Sequence, residues 1–91
     1  MPAFQIDYDL HAPEKNYDAV ISTIKALPGG WCHVLKSTWL VAGNSLTLSG
    51  VFAALRAVTD ADDSLLVTHF VKPYQGWLPK RVHDWIDLNV G

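Results

Sequence analysis

The chain has 91 residues, 49% of them hydrophobic, and its seven Lys and Arg residues against nine Asp and Glu residues give a net charge of −2. This length allows one domain, residues 1–91, and the apolar content excludes intrinsic disorder. The longest uninterrupted apolar run, residues 51–55, is far below the ~20 residues that cross a bilayer, so a membrane span is excluded.

The first predicted elements are a strand and a helix. Residues 3–9 alternate apolar and polar side chains, which predicts a strand with one buried face. The apolar face carries Phe4, Ile6 and Tyr8, and the polar face carries Gln5, Asp7 and Asp9. Helical spacing of apolar residues follows, with Asn16 as the predicted N-cap and residues 28–30, Pro-Gly-Gly, as the stop.

The rest of the chain predicts a hairpin, a helix, a strand and a last helix. Residues 31–35 and 38–42 are rich in β-branched and aromatic residues, and the two residues between them predict a tight hairpin turn. Apolar residues recur at helical spacing over residues 48–58. Residues 65–71 are strongly β-prone, and residues 80–90 form a short amphipathic helix introduced by a proline.

The order β-α-β-β-α-β-α predicts the α+β class. We expect a ferredoxin-like β-α-β-β-α-β antiparallel sheet with both crossover helices on one face and an added C-terminal helix. The opposite face, with Gln5, Asp7 and Asp9, is open unless the terminal helix or another subunit covers it. Because the other strands carry apolar residues on both faces, we expect it to be covered, and a homodimer is the economical solution.

The candidate chemical group is Asp9, at the end of the first strand. A carboxylate there can bind a divalent cation, and a two-fold dimer would bring two Asp9 side chains to one cation or to one shared proton. The alternative is that Asp9 only caps the following turn. His11 lies in the next loop and can reach the same site.

Aromatic residues and location complete the sequence evidence. The tryptophans, Trp31, Trp39, Trp77 and Trp85, can stack on bases or pack in a core or interface. Lys72, Lys80 and Arg81 flank Trp77 and form the one basic and aromatic neighbourhood. The single cysteine, Cys32, and a first segment without a basic or apolar leader predict a cytoplasmic protein.

Two segments carry a family resemblance. Residues 6–10, Ile-Asp-Tyr-Asp-Leu, and residues 35–39, Leu-Lys-Ser-Thr-Trp, resemble the small CRISPR-associated Cas-two family and its VapD toxin relatives, which share the ferredoxin-like fold. More similar still are short bacterial and phage proteins with a Y-D-L, W-x-H-x-L, S-T-W and L-L-V series. This chain has that series at residues 8–10, 31–35, 37–39 and 65–67.

The resemblance implies a homodimer that cleaves RNA or DNA with Mg²⁺ or Mn²⁺. It implies that Asp9 is the metal ligand, paired across the dimer, and that Ser37 contacts the substrate or its phosphate. His11 is a further candidate substrate contact because of its position in the loop after Asp9. The family also includes a non-catalytic bridging role. Two other hypotheses stay open: a dimeric adaptor that binds a protein partner, for example in a toxin–antitoxin or phage-defence system, and a small-molecule sensor.

Overall fold

The computed structural model describes residues 1–11 and 13–91, with side chains described for residues 1–11 and 17–91. Its elements are β1 (Ala3–Asp9), α1 (Pro13–Ala26), β2 (Gly30–Leu35), β3 (Thr38–Ala42), α2 (Leu48–Arg56), β4 (Ser64–His69) and α3 (Lys80–Asn89). The four strands form one antiparallel sheet in the order β2-β3-β1-β4. None of the helices in this described part is long and apolar enough to cross a membrane.

The α+β class and the four-stranded antiparallel sheet are confirmed, and several element ends differ from the prediction by one to a few residues, two of them for a local reason. Helix α1 begins at Pro13 rather than after a cap at Asn16, because a proline in the first turn loses no helical hydrogen bond. The side chain of Asn16, and Ala12 before the helix, lie outside the described residues. Strand β4 ends at His69. Phe70 N still donates a hydrogen bond to Ala3 O, but the next residue of β1 in this direction is Pro2, which has no N–H to donate, so the pairing stops there.

One face of the sheet packs against α1 and α2. The alternation of β1 places its apolar side chains there, with apolar residues of both helices at helical spacing. The buried members are Phe4, Ile6, Tyr8, Leu10, Val20, Ile24, Trp39, Val41, Leu46, Val51 and Leu55. Helix α2 begins at a cap in which the Thr47 hydroxyl accepts the Gly50 N–H at 3.0 Å.

Helix α3 packs on the opposite face, over β2 and β3. This second core consists of Ala3, Cys32, Leu40, Ala42, Val82, Ile86 and Val90. The helix covers only that side of the sheet, and Gln5 and Asp7 stay half-buried while Asp9 is exposed. The expectation of a covered face is therefore met in part, and the uncovered area is called here the open face: Gln5, Asp7, Asp9, Thr38 and Leu66.

Candidate functional site

Asp9 is the last residue of β1 and faces solvent on the open face. Its register partner is Ser64, the first residue of β4. Asp9, His11, Asp62 and Ser64 line a shallow depression of about 270 Å³. The structure thus brings together the two residues that the sequence predicted for this site, Asp9 and His11.

Asp63 organises the loop that borders this depression. Its Oδ1 atom accepts the main-chain N–H of His11 at 2.7 Å, and its Oδ2 atom accepts the N–H of Asp60 at 2.8 Å. The carboxylate that ties the loop before β4 to the segment after β1 is therefore Asp63. Asp9 also lines a second depression on the open face, of about 250 Å³, together with Asp7 and Leu66.

Sequence reasoning missed Asp62 and Ser64 as neighbours of Asp9. Asp62 precedes β4 and Ser64 begins it. Both are more than fifty residues from Asp9 in the chain, so no local motif joins them to Asp9. A signal was present in the predicted topology. Antiparallel pairing of the first and fourth strands places the start of one opposite the end of the other.

The residues of a single protomer do not fit Mg²⁺ or Mn²⁺ in the part of the chain that is described. Such cations take several oxygen ligands, with carboxylates as the usual charged ones. Only two carboxylates, Asp9 and Asp62, line the depression. Among the side chains that are described, those of residues 1–11 and 17–91, no three His, Cys, Asp or Glu are grouped to hold one metal ion.

Asp7 is held in place by two hydrogen bonds on the open face. Its Oδ1 atom accepts the Thr38 hydroxyl at 2.6 Å, and its Oδ2 atom accepts the Gln5 amide at 2.9 Å. Thr38 is the register partner of Asp7 on the neighbouring strand β3, and Gln5 lies two residues before Asp7 on the same face of β1. These bonds fix the direction of a half-buried negative charge on the sheet surface.

Ser37 lies in the turn between β2 and β3, beside the end of β1. Its carbonyl oxygen accepts the Tyr8 N–H at 3.2 Å, so the turn lies at the end of β1 that carries Asp9. The side chain is half-buried and does not line either depression that contains Asp9. The geometry therefore brings Ser37 near the Asp9 site without making it part of that site's surface.

A cavity lies on the same side of the sheet, between the open face and α3. This groove has a volume of about 400 Å³. Its floor and walls include Gln5, Thr38, Leu40, Phe70, Trp77 and Leu78. The segment that forms its outer wall is held to α3 by a 2.6 Å hydrogen bond between the Tyr74 hydroxyl and His83 Nδ1. Within the segment, the Tyr74 ring contacts the Phe70 ring, with ring centroids 5.4 Å apart.

Large apolar side chains are exposed around the groove. Trp77 is completely exposed, Leu66 is 58% exposed and Leu35 is 55% exposed. Leu35 and Trp77 line the groove, and Leu66 is the register partner of Asp7 on the open face. Leu35 and Trp77 form the apolar rim of the groove, whereas Leu66 lies on the edge strand β4, with Thr38 and Asp7 between it and Leu35 in the sheet.

The charges at the Asp9 end of the open face are negative. Among the described residues, the two depressions at this end are lined by Asp7, Asp9 and Asp62 and by no Lys or Arg residue, whereas Lys36 and Arg81 line another depression, which shares Val34 and Leu35 with the groove. Two of the cations that flank Trp77 in sequence point elsewhere: Lys80 contacts Asp84 at 2.7 Å, a bond that raises the pKa of Lys80, and Arg81 donates to the His33 carbonyl at 3.1 Å. The basic and aromatic neighbourhood of the sequence is therefore divided in the fold.

Comparison with known proteins supplies no relative for this chain. No protein-family model, curated protein or solved structure matches it. The roles of Asp9, His11 and Ser37 therefore rest on their own geometry, and the resemblance to the Cas-two and VapD group stays an expectation.

Proposed function

We propose that the protein is a non-catalytic interaction module that binds a partner protein through its open face. The observation that carries this proposal is the apolar rim of Leu35 and Trp77 on a 400 Å³ groove, with Leu66 also exposed on the same sheet face, which α3 covers only in part. Single exposed apolar residues are normal, but a cluster around a groove marks an interaction surface. Tryptophan is also among the residues that contribute most at protein interfaces.

The proposed scaffold is a ferredoxin-like domain. Two β-α-β units, β1-α1-β2 and β3-α2-β4, follow each other in the chain, and α1 and α2 pack on the same face of the sheet. The strand order β2-β3-β1-β4 supports this assignment. In such a domain the face opposite the two helices is available for binding. Here α3 covers the part of that face over β2 and β3, and the rest stays exposed.

We also propose that two copies associate through β4. Within the described residues, β4 pairs with β1 alone and is an edge strand. At the other edge strand, β2, the His33 carbonyl already accepts a hydrogen bond from the Arg81 guanidinium. Since unpaired edges are where strands of other chains add, β4 is the edge that fits a second copy. Sedimentation equilibrium should give two chains per particle, and a monomer across the micromolar range would contradict this.

A capture experiment tests the interaction proposal. Wild type, a Leu35→Ser/Trp77→Ser variant and a Leu88→Ser control are immobilised at equal density and exposed to the same lysate of the source cells. Leu88 is 84% exposed on α3, so the control removes similar apolar surface away from the groove. We expect wild type and control to retain the same partner and the rim variant to lose it. Retention that is equal on all three would contradict the proposal.

A second candidate function is metal-dependent cleavage of nucleic acid. The observation that favours it is the shared depression of Asp9, His11, Asp62 and Ser64. With two carboxylates per chain at this point, a second protomer's Asp9 would have to complete a site for Mg²⁺ or Mn²⁺. Labelled RNA and DNA are incubated with wild type, Asp9→Asn and an Asp87→Asn control in Mn²⁺, Mg²⁺ or EDTA. Cleavage that requires metal and is lost only in Asp9→Asn would support the enzyme, and no cleavage in any lane would remove it.

A further inference from the structure

The groove and the acidic end of the open face belong to one continuous surface. Gln5 and Thr38 line the groove and also donate to the two oxygens of Asp7, which lines the next depression with Asp9. Along β1, this surface runs from the apolar groove to the carboxylates of Asp7 and Asp9. We infer that its occupant is an extended segment of the partner protein with a large apolar side chain for the groove and a Lys or Arg side chain for Asp7 and Asp9. This inference rests on the proposed function and names the chemistry of its partner.

The volume and lining of the groove suit an apolar side chain. At about 400 Å³, it lies within the ~300–1,000 Å³ that ligand pockets usually have. Leu40, Phe70 and Leu78 supply apolar walls, and the Gln5 and Thr38 side chains at its floor already have a partner in Asp7. An apolar group can therefore enter without leaving these two donors unsatisfied.

The charges select a cationic partner. Asp7 and Asp9 lie on this surface, and no Lys or Arg among the described residues lines the two depressions that contain them. Each Asp7 oxygen accepts one hydrogen bond from the chain, and a carboxylate has about four acceptor positions, so Asp7 can accept further donors. A phosphate-rich ligand would meet like charge at Asp7 and Asp9, which disfavours nucleic acid at this end of the surface, since Lys36 and Arg81 line a separate depression beside Leu35.

The spacing along β1 fits an extended chain. Gln5, Asp7 and Asp9 are on one face of the strand, and residues two apart on a strand are about 6.5–7 Å apart. An extended peptide has the same repeat, so its side chains at positions i and i+2 would lie over the groove and over Asp7, and position i+4 would reach Asp9. Trp77, completely exposed at the groove rim, offers its ring to the apolar or cationic side chain.

The test is an unbiased selection of peptides. A library of random twelve-residue peptides displayed on phage is selected on the immobilised full chain, and the consensus is synthesised. We expect an aromatic or long aliphatic residue with Lys or Arg two or four positions away. Calorimetry with this peptide should show about 30-fold weaker binding to Trp77→Ala. Binding to Asp9→Asn should weaken about two- to five-fold, with a smaller dependence on salt than wild type.

Matched controls and outcomes make the test decisive. Leu88→Ala and Asp87→Asn remove exposed apolar area and charge on α3 and should bind like wild type. Trp77 and Asp9 are exposed, so their substitution should leave the thermal midpoint of unfolding unchanged. A consensus that needs Trp77 but contains no basic residue, or that binds Asp9→Asn and Asp7→Asn as tightly as wild type, would overturn the inference and leave the proposed function standing. Failure to select any Trp77-dependent peptide would overturn both.

Discussion

The indole Nε1 of Trp39 donates a 3.0 Å hydrogen bond to the Tyr8 hydroxyl inside the core between the sheet and the first two helices. The two residues are 31 positions apart in sequence, and this bond joins β1 to β3 at the centre of the sheet. The Trp39 ring also stacks on His33 of β2, with ring centroids 4.0 Å apart. One aromatic side chain therefore links three of the four strands of the sheet.

Replacing Tyr8 with Phe should destabilise the protein. The change leaves the buried Trp39 N–H without its acceptor, and such an unsatisfied donor costs about 1–3 kcal/mol. Urea unfolding measures the free energy directly. Tyr17→Phe is the control, because the Tyr17 ring contacts Tyr8 at 5.8 Å from the other side and is only half-buried. Equal unfolding free energies for the two variants would contradict the assigned role of the bond.

Stability should fall at alkaline pH. Burial raises the pKa of the Cys32 thiol above its ordinary value of 9.0 and that of the Tyr8 hydroxyl above 10.0, more than the contacts with Arg81 and Trp39 lower them. In the unfolded chain both groups ionise at lower pH than in the folded chain. Their contribution is thus complete below the unfolded values and is lost as the pH rises through the folded ones.

The measurement is urea unfolding between pH 7 and 11. The free energy of unfolding of wild type should decline above about pH 9. Cys32→Ala should decline less steeply than wild type in the lower part of that range, since it lacks the thiol. Parallel curves for the two proteins would show that the thiol does not contribute.

Gly29 should not accept a side chain. Its φ is +106°, and a Cβ atom there would lie 2.2 Å from the Ala42 carbonyl oxygen and 3.0 Å from the Gly43 Cα atom. Gly29→Ala should therefore cost more than about 1 kcal/mol in the free energy of unfolding. Gly30→Ala is the neighbouring control, because its Cβ would meet only ordinary contacts with Trp85 at 3.7 Å and beyond. A smaller loss for Gly29→Ala than for Gly30→Ala would contradict the close approach.

Cys32 should report whether α3 is docked. The thiol is buried in the second core with Val82 and Ile86 of α3. Ile86→Ala removes buried apolar contact worth about 2–5 kcal/mol, so alkylation of Cys32 by iodoacetamide should become more than about tenfold faster. Leu88→Ala, on the exposed side of the same helix, should alkylate like wild type. Equal rates for all three proteins would show that α3 does not protect the thiol.

The sequence predicted the elements because each is encoded locally. The alternation around Phe4, Ile6 and Tyr8 identifies a strand and its buried face from seven residues alone. The same periodicity placed Asp9 at a strand end and His11 in the loop after it, so these neighbours could be found without a structure. Asn16 was a wrong N-cap because a cap preference competes with the equally local preference of Pro13 for the first helical turn.

The groove could not be predicted, because it depends on contacts between distant segments. The segment that contains Trp77 has no periodic pattern, and its position follows from the bond between Tyr74 and His83 and from the packing of α3 on β2 and β3. Periodicity identified α3 as amphipathic without indicating how much of the sheet it would cover. The lysine and arginine that adjoin Trp77 in sequence turn away through Asp84 and His33, which no local rule indicates.

The most direct test of the proposed binding face is a ¹⁵N–¹H spectrum of the labelled protein during titration with the selected peptide. The indole N–H signals of the tryptophans serve as reporters, and the signal of Trp77 is identified by its loss in Trp77→Phe. We predict that the Trp77 signal shifts progressively, while that of Trp39, buried against Tyr8 on the other side of the sheet, does not move. A shift at Trp31 or Trp39 with none at Trp77 would contradict the account, because the peptide would then bind away from the open face.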